Sequence, residues 1–170
     1  IRVNTLKIAV TELKERLQKQ GFTLYQVPWC NEGFWVKGSR TDLGNLLEHT
    51  LGYFYVQEAA SMIPAVVLQP QPGEAVLDMC ASPGSKTTQM AAMMGNQGII
   101  LANDITGERM KPLGINLQRV GAMNVVENQA RGQHISRMTT KFDKILVDAP
   151  CTGTGTLIKS PQTLKISNPI

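Results

Sequence analysis

The chain has 170 residues, of which 42% are hydrophobic and 18% charged, and its formal net charge at pH 7 is +4. This composition supports a packed core and excludes disorder throughout. No apolar stretch reaches the roughly 20 residues that a membrane-spanning helix needs. The three cysteines (Cys30, Cys80 and Cys151) and two histidines are too few and too scattered for a disulfide framework or a structural zinc site.

Residues 1–52 have the pattern of a small α+β unit. Its predicted elements, in chain order, are a strand over 2–8, a helix from a Thr11 cap to about Gln20, and strands over 22–27 and 34–37. Seven basic residues make this region positive: Arg2, Lys7, Lys14, Arg16, Lys19, Lys37 and Arg40. Each is either an ordinary solvated charge or part of a module that contacts phosphates.

From about Tyr53 the pattern changes to alternating helices and strands. The predicted elements are a helix over 57–68 that bends or ends near Pro64, a strand over 75–78, a helix over 85–94, a strand over 98–102, a helix over 110–120, a weak strand at 125–126 and a strand over 142–147. Alternation of this kind predicts an α/β fold with a parallel sheet and right-handed crossovers.

Three of the four predicted strands of this sheet end in an acidic residue. These residues are Asp78, Asp104 and Asp148. Ligands of open parallel sheets bind beyond the carboxyl ends of the strands. One such acid is explained equally well as a helix cap, but three in equivalent positions predict a lined site.

The turn after the first of these strands, residues 79–87, is rich in small residues. Small residues let backbone N–H groups approach a ligand at the start of the next helix. The spacing matches neither the dinucleotide fingerprint nor a phosphate loop. Asp104 stands where nucleoside-binding sheets place the acid that holds ribose hydroxyls. The pattern therefore predicts a nucleoside-containing cofactor, and the alternative is a tight turn with Asp104 as an ordinary cap.

The segment that follows the last predicted strand places Pro150 and Cys151 at the mouth of the sheet, close after Asp148. Most free cysteines are buried and inert, and that interpretation fits Cys30. Cys80 is expected to be structural or to offer only its backbone to the turn. For Cys151 we favour a functional role.

Residues 78–87 (DMCASPGSKT) and residues 148–155 (DAPCTGTG) together resemble the NOL1/NOP2/Sun family of RNA cytosine-5 methyltransferases. Residues 2–7 and 55–62 are similar to the lead-in segments of that family. The resemblance implies S-adenosylmethionine as methyl donor, an incomplete Rossmann-like methyltransferase domain over 53–170 and an RNA-binding extension over 1–52. It implies no metal.

The resemblance also implies residue roles. In the family a thiolate adds to cytosine C6, which makes C5 reactive towards the donor methyl group. Cys151 matches the cysteine that assists product release, Asp148 the acid beside the cytosine, and Lys86 a lysine that reaches the active site. The positions that match donor-binding residues are Cys80, Ala81, Ser82, Pro83, Gly84, Ser85, Lys86, Asp104, Arg109 and Asp148.

The sequence departs from the family pattern in two ways. No residue before Ile170 matches the attacking cysteine, so we expect a truncated chain that does not turn over by itself. The usual aspartate after the third strand is missing, which leaves Asn128 or Gln129 for the adenine, or a weaker affinity.

The implied partner is structured RNA, with transfer RNA favoured over ribosomal RNA because the lead-in is short. A module that binds RNA and donor without chemistry is the alternative. No secretory leader is apparent, so we expect a cytoplasmic location, or a nucleolar one in a eukaryote.

Overall fold

The computed structural model describes residues 1–38, 42–135 and 141–149. Within them, one parallel sheet is built from β5 (Ala75–Asp78), β6 (Ile99–Asp104), β7 (Val125–Gln129) and β8 (Lys144–Leu146), in the spatial order β7, β6, β5, β8. The chain moves outward from β5 to β7 and then returns to place β8 on the other side of β5. A ligand site is expected at the carboxyl ends of β5 and β8, where this order reverses.

Helices connect these strands and cover the sheet. They are α3 (Ile63–Leu68), α4 (Ser85–Met93), α5 (Gly107–Val120) and α6 (Gly132–Ile135). Met90 and Met94 pack with Val76 and Ile100 in a core from which water is fully excluded. Because these apolar contacts fix the strands and α4, they also fix the turn between β5 and α4.

The preceding residues form a smaller unit. Its elements are β1 (Arg2–Val3), α1 (Val10–Lys19), β2 (Thr23–Gln26), β3 (Phe34–Lys37), α2 (Leu47–Thr50) and β4 (Phe54–Tyr55), with short 3₁₀ turns at Leu43–Asn45 and Ala60–Met62. β2 pairs with β3, and β1 pairs with β4, both antiparallel. Leu13 and Leu17 are fully buried on one face of α1, as the sequence predicted.

Several predicted boundaries are wrong. The strand predicted over 2–8 is only two residues long, because the chain turns at Thr5 to enter α1. Helix α1 begins after Ala9 with no side-chain cap, so Thr11 lies inside the helix and does not cap it. The single helix predicted over 57–68 is a 3₁₀ turn followed by α3, and Pro64 lies in the first turn of α3.

In the described ranges, no helix has both the length and the apolar character needed to cross a bilayer. The same residues contain no cluster of three or more His, Cys, Asp and Glu side chains that could hold a metal ion.

Candidate active site

The turn between β5 and α4, residues 79–84, is tied to the strands on both sides of β5. The Met79 backbone N–H donates to the Leu146 carbonyl at 2.9 Å, and the Ala81 N–H donates to the Asn103 carbonyl at 2.8 Å. Gly84 closes the turn with a φ of +103° and precedes the first residue of α4. That conformation favours glycine, and a Cβ there would lie 3.1 Å from the Leu113 side chain. The turn is therefore held rigidly at the carboxyl edge of the sheet.

Asp104, at the end of β6, holds this turn from the other side. The residue is 3% exposed, and its carboxylate accepts hydrogen bonds from the Ser82 N–H at 3.1 Å, the Ile105 N–H at 2.8 Å and Arg109 Nε at 2.9 Å. Arg109 also donates to the Ser82 carbonyl at 3.1 Å. A carboxylate has about four acceptor sites, so Asp104 keeps about one for a ligand.

Lys86, in the first turn of α4, meets Asp148 after β8. Lys86 Nζ lies 2.6 Å from Asp148 Oδ2. The lysine side chain is mostly buried, with 16% of it exposed, whereas that of Asp148 is 50% exposed. The ion pair therefore presents a carboxylate, oriented by a buried ammonium group, to the space above the sheet.

Cys80 lies in the turn beside the two acids Asp78 and Asp104. Burial, together with these two negative charges, raises the pKa of the Cys80 thiol above its ordinary value. Cys80 is therefore a neutral thiol at neutral pH, which fits a structural or backbone role better than that of a nucleophile. Cys30 is buried beside Glu32 and Gln89 and lines neither cavity at this edge of the sheet.

Asn103 is a site residue that the sequence analysis missed. Its side chain is 2% exposed, and its Nδ2 donates to the carbonyls of Met79 and Ala130. Its Oδ1 accepts from the Ala130 N–H and from Asn128 Nδ2 at 2.7 Å. This one amide joins the ends of β5, β6 and β7. The bond to Asn128 also engages one of the two residues considered for the adenine.

Two adjoining cavities occupy the edge of the sheet that these residues form. One, of about 600 Å³, is lined by Ser82, Lys86, Arg109 and Asp148. The other, of about 460 Å³, is lined mainly by apolar groups, with Asp104 and Asn103 on its wall. Cys80 and Ala149 line both cavities, so the two form one elongated cleft around the turn, which we call the donor cleft.

The donor cleft fits the predicted cofactor. An adenosine group with an amino acid chain needs an apolar chamber, a carboxylate with a free acceptor for ribose hydroxyls, and charged side chains beyond it. The cavity of about 460 Å³ is the apolar chamber, and the cavity of about 600 Å³ supplies the charged side chains. The structure brings all the predicted donor-binding residues to this cleft or to the turn beside it. Cys151 lies outside the described residues.

A parallel sheet with this turn, this acid after its second strand and this cleft defines a nucleoside-binding α/β domain of the methyltransferase type. The chain belongs to the 16S rRNA methyltransferase RsmB/F family, whose model matches residues 65–168. Residues 1–59 match the N-terminal domain of 16S rRNA methyltransferase RsmF. This is a family of S-adenosylmethionine-dependent RNA methyltransferases.

Curated relatives agree with this assignment. The ribosomal RNA small subunit methyltransferase F of Shewanella loihica is 46% identical over 172 residues, which cover 97% of this chain and 35% of that protein. The protein of the same name from Vibrio vulnificus is 46% identical over 170 residues, covering 97% and 36%. The chain thus spans about a third of the length of these relatives.

Solved structures give the same result. A methyltransferase homolog protein from Pyrococcus horikoshii is 44% identical with a TM-score of 0.87, over 97% of this chain and 54% of that chain. NSun6 from Pyrococcus horikoshii, solved with SFG, is 25% identical with a TM-score of 0.81, over 89% and 62%. The family and the α/β fold class predicted from the sequence are confirmed.

Proposed function

We propose that this chain forms the donor-binding part of an enzyme that methylates C5 of cytosine in ribosomal RNA. The observation that carries the proposal is the donor cleft, in which the Asp104 carboxylate lies at one end and the Lys86–Asp148 pair at the other. When bound, S-adenosylmethionine supplies an electrophilic methyl group.

Asp104 and the turn over 79–84 hold the donor in this proposal. The remaining acceptor site of Asp104 takes a ribose hydroxyl, while residues 80–83 and Ser85 line the larger cavity, which also contains Lys86 and Asp148. Arg109 acts on the donor through Asp104 and Ser82, since it binds both. Asn128 or Gln129, at the end of β7, contacts the adenine in this proposal. The Gln129 side chain lies beside Gly107 at the start of α5.

Asp148 and Lys86 act at the target base. The Asp148 carboxylate accepts a hydrogen bond from the exocyclic amino group of cytosine, the group through which acidic side chains recognise this base. Lys86 orients the carboxylate and balances its charge in the absence of the base. Cys151, three positions after Asp148, assists release of the methylated product, and attack on C6 falls to a second cysteine, as the family resemblance implies.

The substrate class follows the relatives, which are named for ribosomal RNA of the small subunit. We therefore propose ribosomal RNA in place of the transfer RNA that the short lead-in favoured. Residues 1–52 are the proposed RNA-binding extension, and residues 53–170 are the proposed part of the methyltransferase domain. The two curated relatives named above are bacterial, so the cytoplasm is the proposed location.

Calorimetric titration with S-adenosylmethionine tests the donor site. Asp104→Asn keeps the shape of the side chain but removes an acceptor, and a hydrogen bond to a charged group is worth about 1.5–3 kcal/mol. We expect affinity for the donor to fall about tenfold to a hundredfold. Circular dichroism of the variant establishes that the fold is retained.

Asp143→Asn is the matched control. Asp143 also accepts a backbone N–H, that of Ala75 at 2.8 Å, but it lies at the amino end of β5, opposite the cleft. This control should bind the donor like the unaltered chain. Donor affinity that is unchanged in Asp104→Asn, or the absence of heat with the unaltered chain, would contradict the proposed donor site.

A further inference from the structure

The ribbon formed by β2 and β3 carries aromatic side chains on its outer face. Alternation along the strands buries Leu24 and Phe34 on the inner face, where they join the core of the N-terminal unit. Tyr25 and Trp35 are paired across the ribbon and lie on the outer face, 50% and 44% exposed. A ribbon with one buried face normally presents polar residues to water on the other. Two large aromatic residues here are therefore not explained by the packing of the ribbon.

Trp29, in the connection between β2 and β3, extends this face. Its ring meets that of Trp35 edge to face, with 5.9 Å between centroids and an interplanar angle of 89°. Its Nε1 donates to the Ala59 carbonyl at 2.9 Å, yet 40% of the residue remains exposed. Both tryptophan rings are thus held in fixed orientations without being covered.

A cation lies beside the rings. Lys37 Nζ is 5.3 Å from the centroid of the Tyr25 ring, and Lys37 is exposed on the same face of β3 as Trp35. We call Tyr25, Trp29, Trp35 and Lys37 the aromatic face. Flat rings beside a lysine are complementary to a nucleobase and its phosphate, and this combination binds single-stranded nucleic acid largely without regard to sequence.

One residue, Glu58, links the ribbon to the donor cleft. A cavity of about 360 Å³ is lined by Trp35, Glu58 and Ala59, and Ala59 carries the carbonyl that Trp29 binds. Glu58 also lines the cavity of about 600 Å³ that contains Lys86 and Asp148. Glu58 therefore borders both cavities, so the ribbon that carries Trp35 and the chamber that holds Asp148 lie to either side of this residue.

We propose that the aromatic face binds an unpaired nucleotide of the substrate RNA by stacking, at a position neighbouring the target cytosine. The description of that RNA as substrate rests on the proposed function, whereas the stacking contact itself is tested separately. Stacking here positions the strand in the cleft and does not recognise the target base.

Intrinsic fluorescence gives a direct test, because Trp29 and Trp35 are the two tryptophans of the chain. A short single-stranded oligoribonucleotide should quench this emission as it binds, since a base stacks on the rings. An abasic oligomer of equal length carries the same phosphates and should bind more weakly without quenching. Equal quenching by both oligomers would overturn stacking in favour of a purely electrostatic contact.

Substitutions then assign the contact to its residue. Trp35→Ala should weaken binding of the oligoribonucleotide about fivefold to a hundredfold, the range for loss of one base–aromatic stack, and Trp35→Phe should restore most of it. Ile115→Ala is the matched control, because Ile115 is 66% exposed on α5, away from the ribbon. Affinity for RNA labelled with a fluorophore, followed by anisotropy, measures all three variants.

The outcomes separate this proposal from the proposed function. If quenching depends on the base but S-adenosylmethionine does not bind, RNA stacking on the aromatic face is supported and the proposed role of the donor cleft is contradicted. The proposal is overturned if RNA binds without changing tryptophan emission and binds Trp35→Ala as tightly as the unaltered chain. This holds whether or not the donor binds, and a protein would then be the remaining candidate partner for the aromatic face.

Discussion

Asp78 is an acid whose protonation the fold controls. It is 1% exposed at the end of β5, and burial raises its pKa from 3.8 to about 6. The nearby Asp148 carboxylate acts in the same direction. The Thr87 hydroxyl, which donates to Asp78 at 2.7 Å, the backbone of Cys80 and the Lys86 ammonium group all act in the opposite direction, but burial has the larger effect.

This pKa predicts that the contribution of Asp78 to stability falls as pH rises. The folded state holds the proton on Asp78 more tightly than the unfolded state, so its contribution is fully present below 3.8 and lost as pH passes about 6. Each pKa unit corresponds to about 1.4 kcal/mol, so the loss amounts to about 3 kcal/mol.

Asp78→Asn tests this effect because an amide stays neutral and can still accept from Thr87. Urea unfolding at a series of pH values should show that the stability advantage of Asp78→Asn over the unaltered chain grows between 3.8 and about 6. Parallel stability profiles for the two proteins across this interval would refute the prediction.

At the scale of elements, Arg2 joins β1 to the start of α4. Its guanidinium is buried and donates to the Ser85 carbonyl and to Gln57 Oε1, both at 2.6 Å, and to Thr88 Oγ1 at 2.8 Å. Burial lowers the pKa of Arg2 from its ordinary value to about 10, so Arg2 stays charged at neutral pH. Ser85 begins α4 directly after the turn over 79–84. The bond from Arg2 therefore helps to hold this turn, and with it the donor cleft, in place.

Arg2→Lys should therefore weaken both the fold and donor binding. A lysine ammonium does not reproduce the planar fork, and each lost hydrogen bond to a charged group costs about 1.5–3 kcal/mol. We expect the free energy of unfolding to fall by about 2 kcal/mol or more and affinity for S-adenosylmethionine to fall several-fold. Urea unfolding and calorimetry measure the two effects.

Arg16→Lys is the control for that substitution. Arg16 pairs with Glu12 on the surface of α1, and its side chain is 45% exposed. Exposed pairs of this kind contribute little to stability because water and salt screen them. If Arg16→Lys loses as much stability as Arg2→Lys, the loss is a general effect of replacing arginine and not a consequence of the buried hydrogen bonds of Arg2.

The sequence predicted the elements that have a strong local signal. Apolar spacing placed Leu13 and Leu17 on the inner face of α1, and the strand end at Asp78 was located to the residue, whereas the strand predicted over 98–102 continues to Asp104. The predicted start of α1 was wrong because threonine is a common cap residue, whereas the helix begins at Val10 after an extended Ala9 with no side-chain cap.

The candidate site was predictable to a similar degree. Asp104, Lys86 and Asp148 could be placed at one edge because parallel strands and the helices that follow them bring their ends together. Asn103 and Arg2 could not be found in this way. Their importance arises from burial and from hydrogen bonds to residues more than twenty positions distant, and neither is visible in local spacing.

At the scale of the whole molecule, the N-terminal unit is attached to the C-terminal end of α5. Asn4 Nδ2 donates to the carbonyls of Gly52 and Val120, both at 2.8 Å. Lys7 Nζ donates to the Arg119 carbonyl at 2.8 Å, and Arg119 Nη1 donates to the carbonyls of His49 and Phe54. Such contacts should make the described residues unfold as one cooperative unit, although 1–52 and 53–170 are proposed as separate functional regions.

Gly52→Ala tests this coupling at its tightest point. Gly52 has a φ of +74°, and a Cβ there would lie 1.9 Å from the Arg119 carbonyl oxygen, so the two units must move apart. We expect a loss of about 2 kcal/mol or more, from left-handed strain plus the clash. Tryptophan emission reports on the N-terminal unit alone, whereas far-ultraviolet circular dichroism reports on the helices of both units, and α3 to α6 hold the larger share of the described helical residues. Both transitions should shift together in urea if unfolding is cooperative.

Gly73→Ala separates the clash from the strain. Gly73 has a φ of +90°, but a Cβ at this position would meet none of the described residues within 4 Å, so this control carries the backbone strain alone, about 1–2 kcal/mol. Gly52→Ala should therefore be the less stable of the two variants. A shift of the tryptophan transition without a matching shift in circular dichroism would mean that the N-terminal unit unfolds independently, and that its contacts with α5 position the aromatic face without stabilising the sheet.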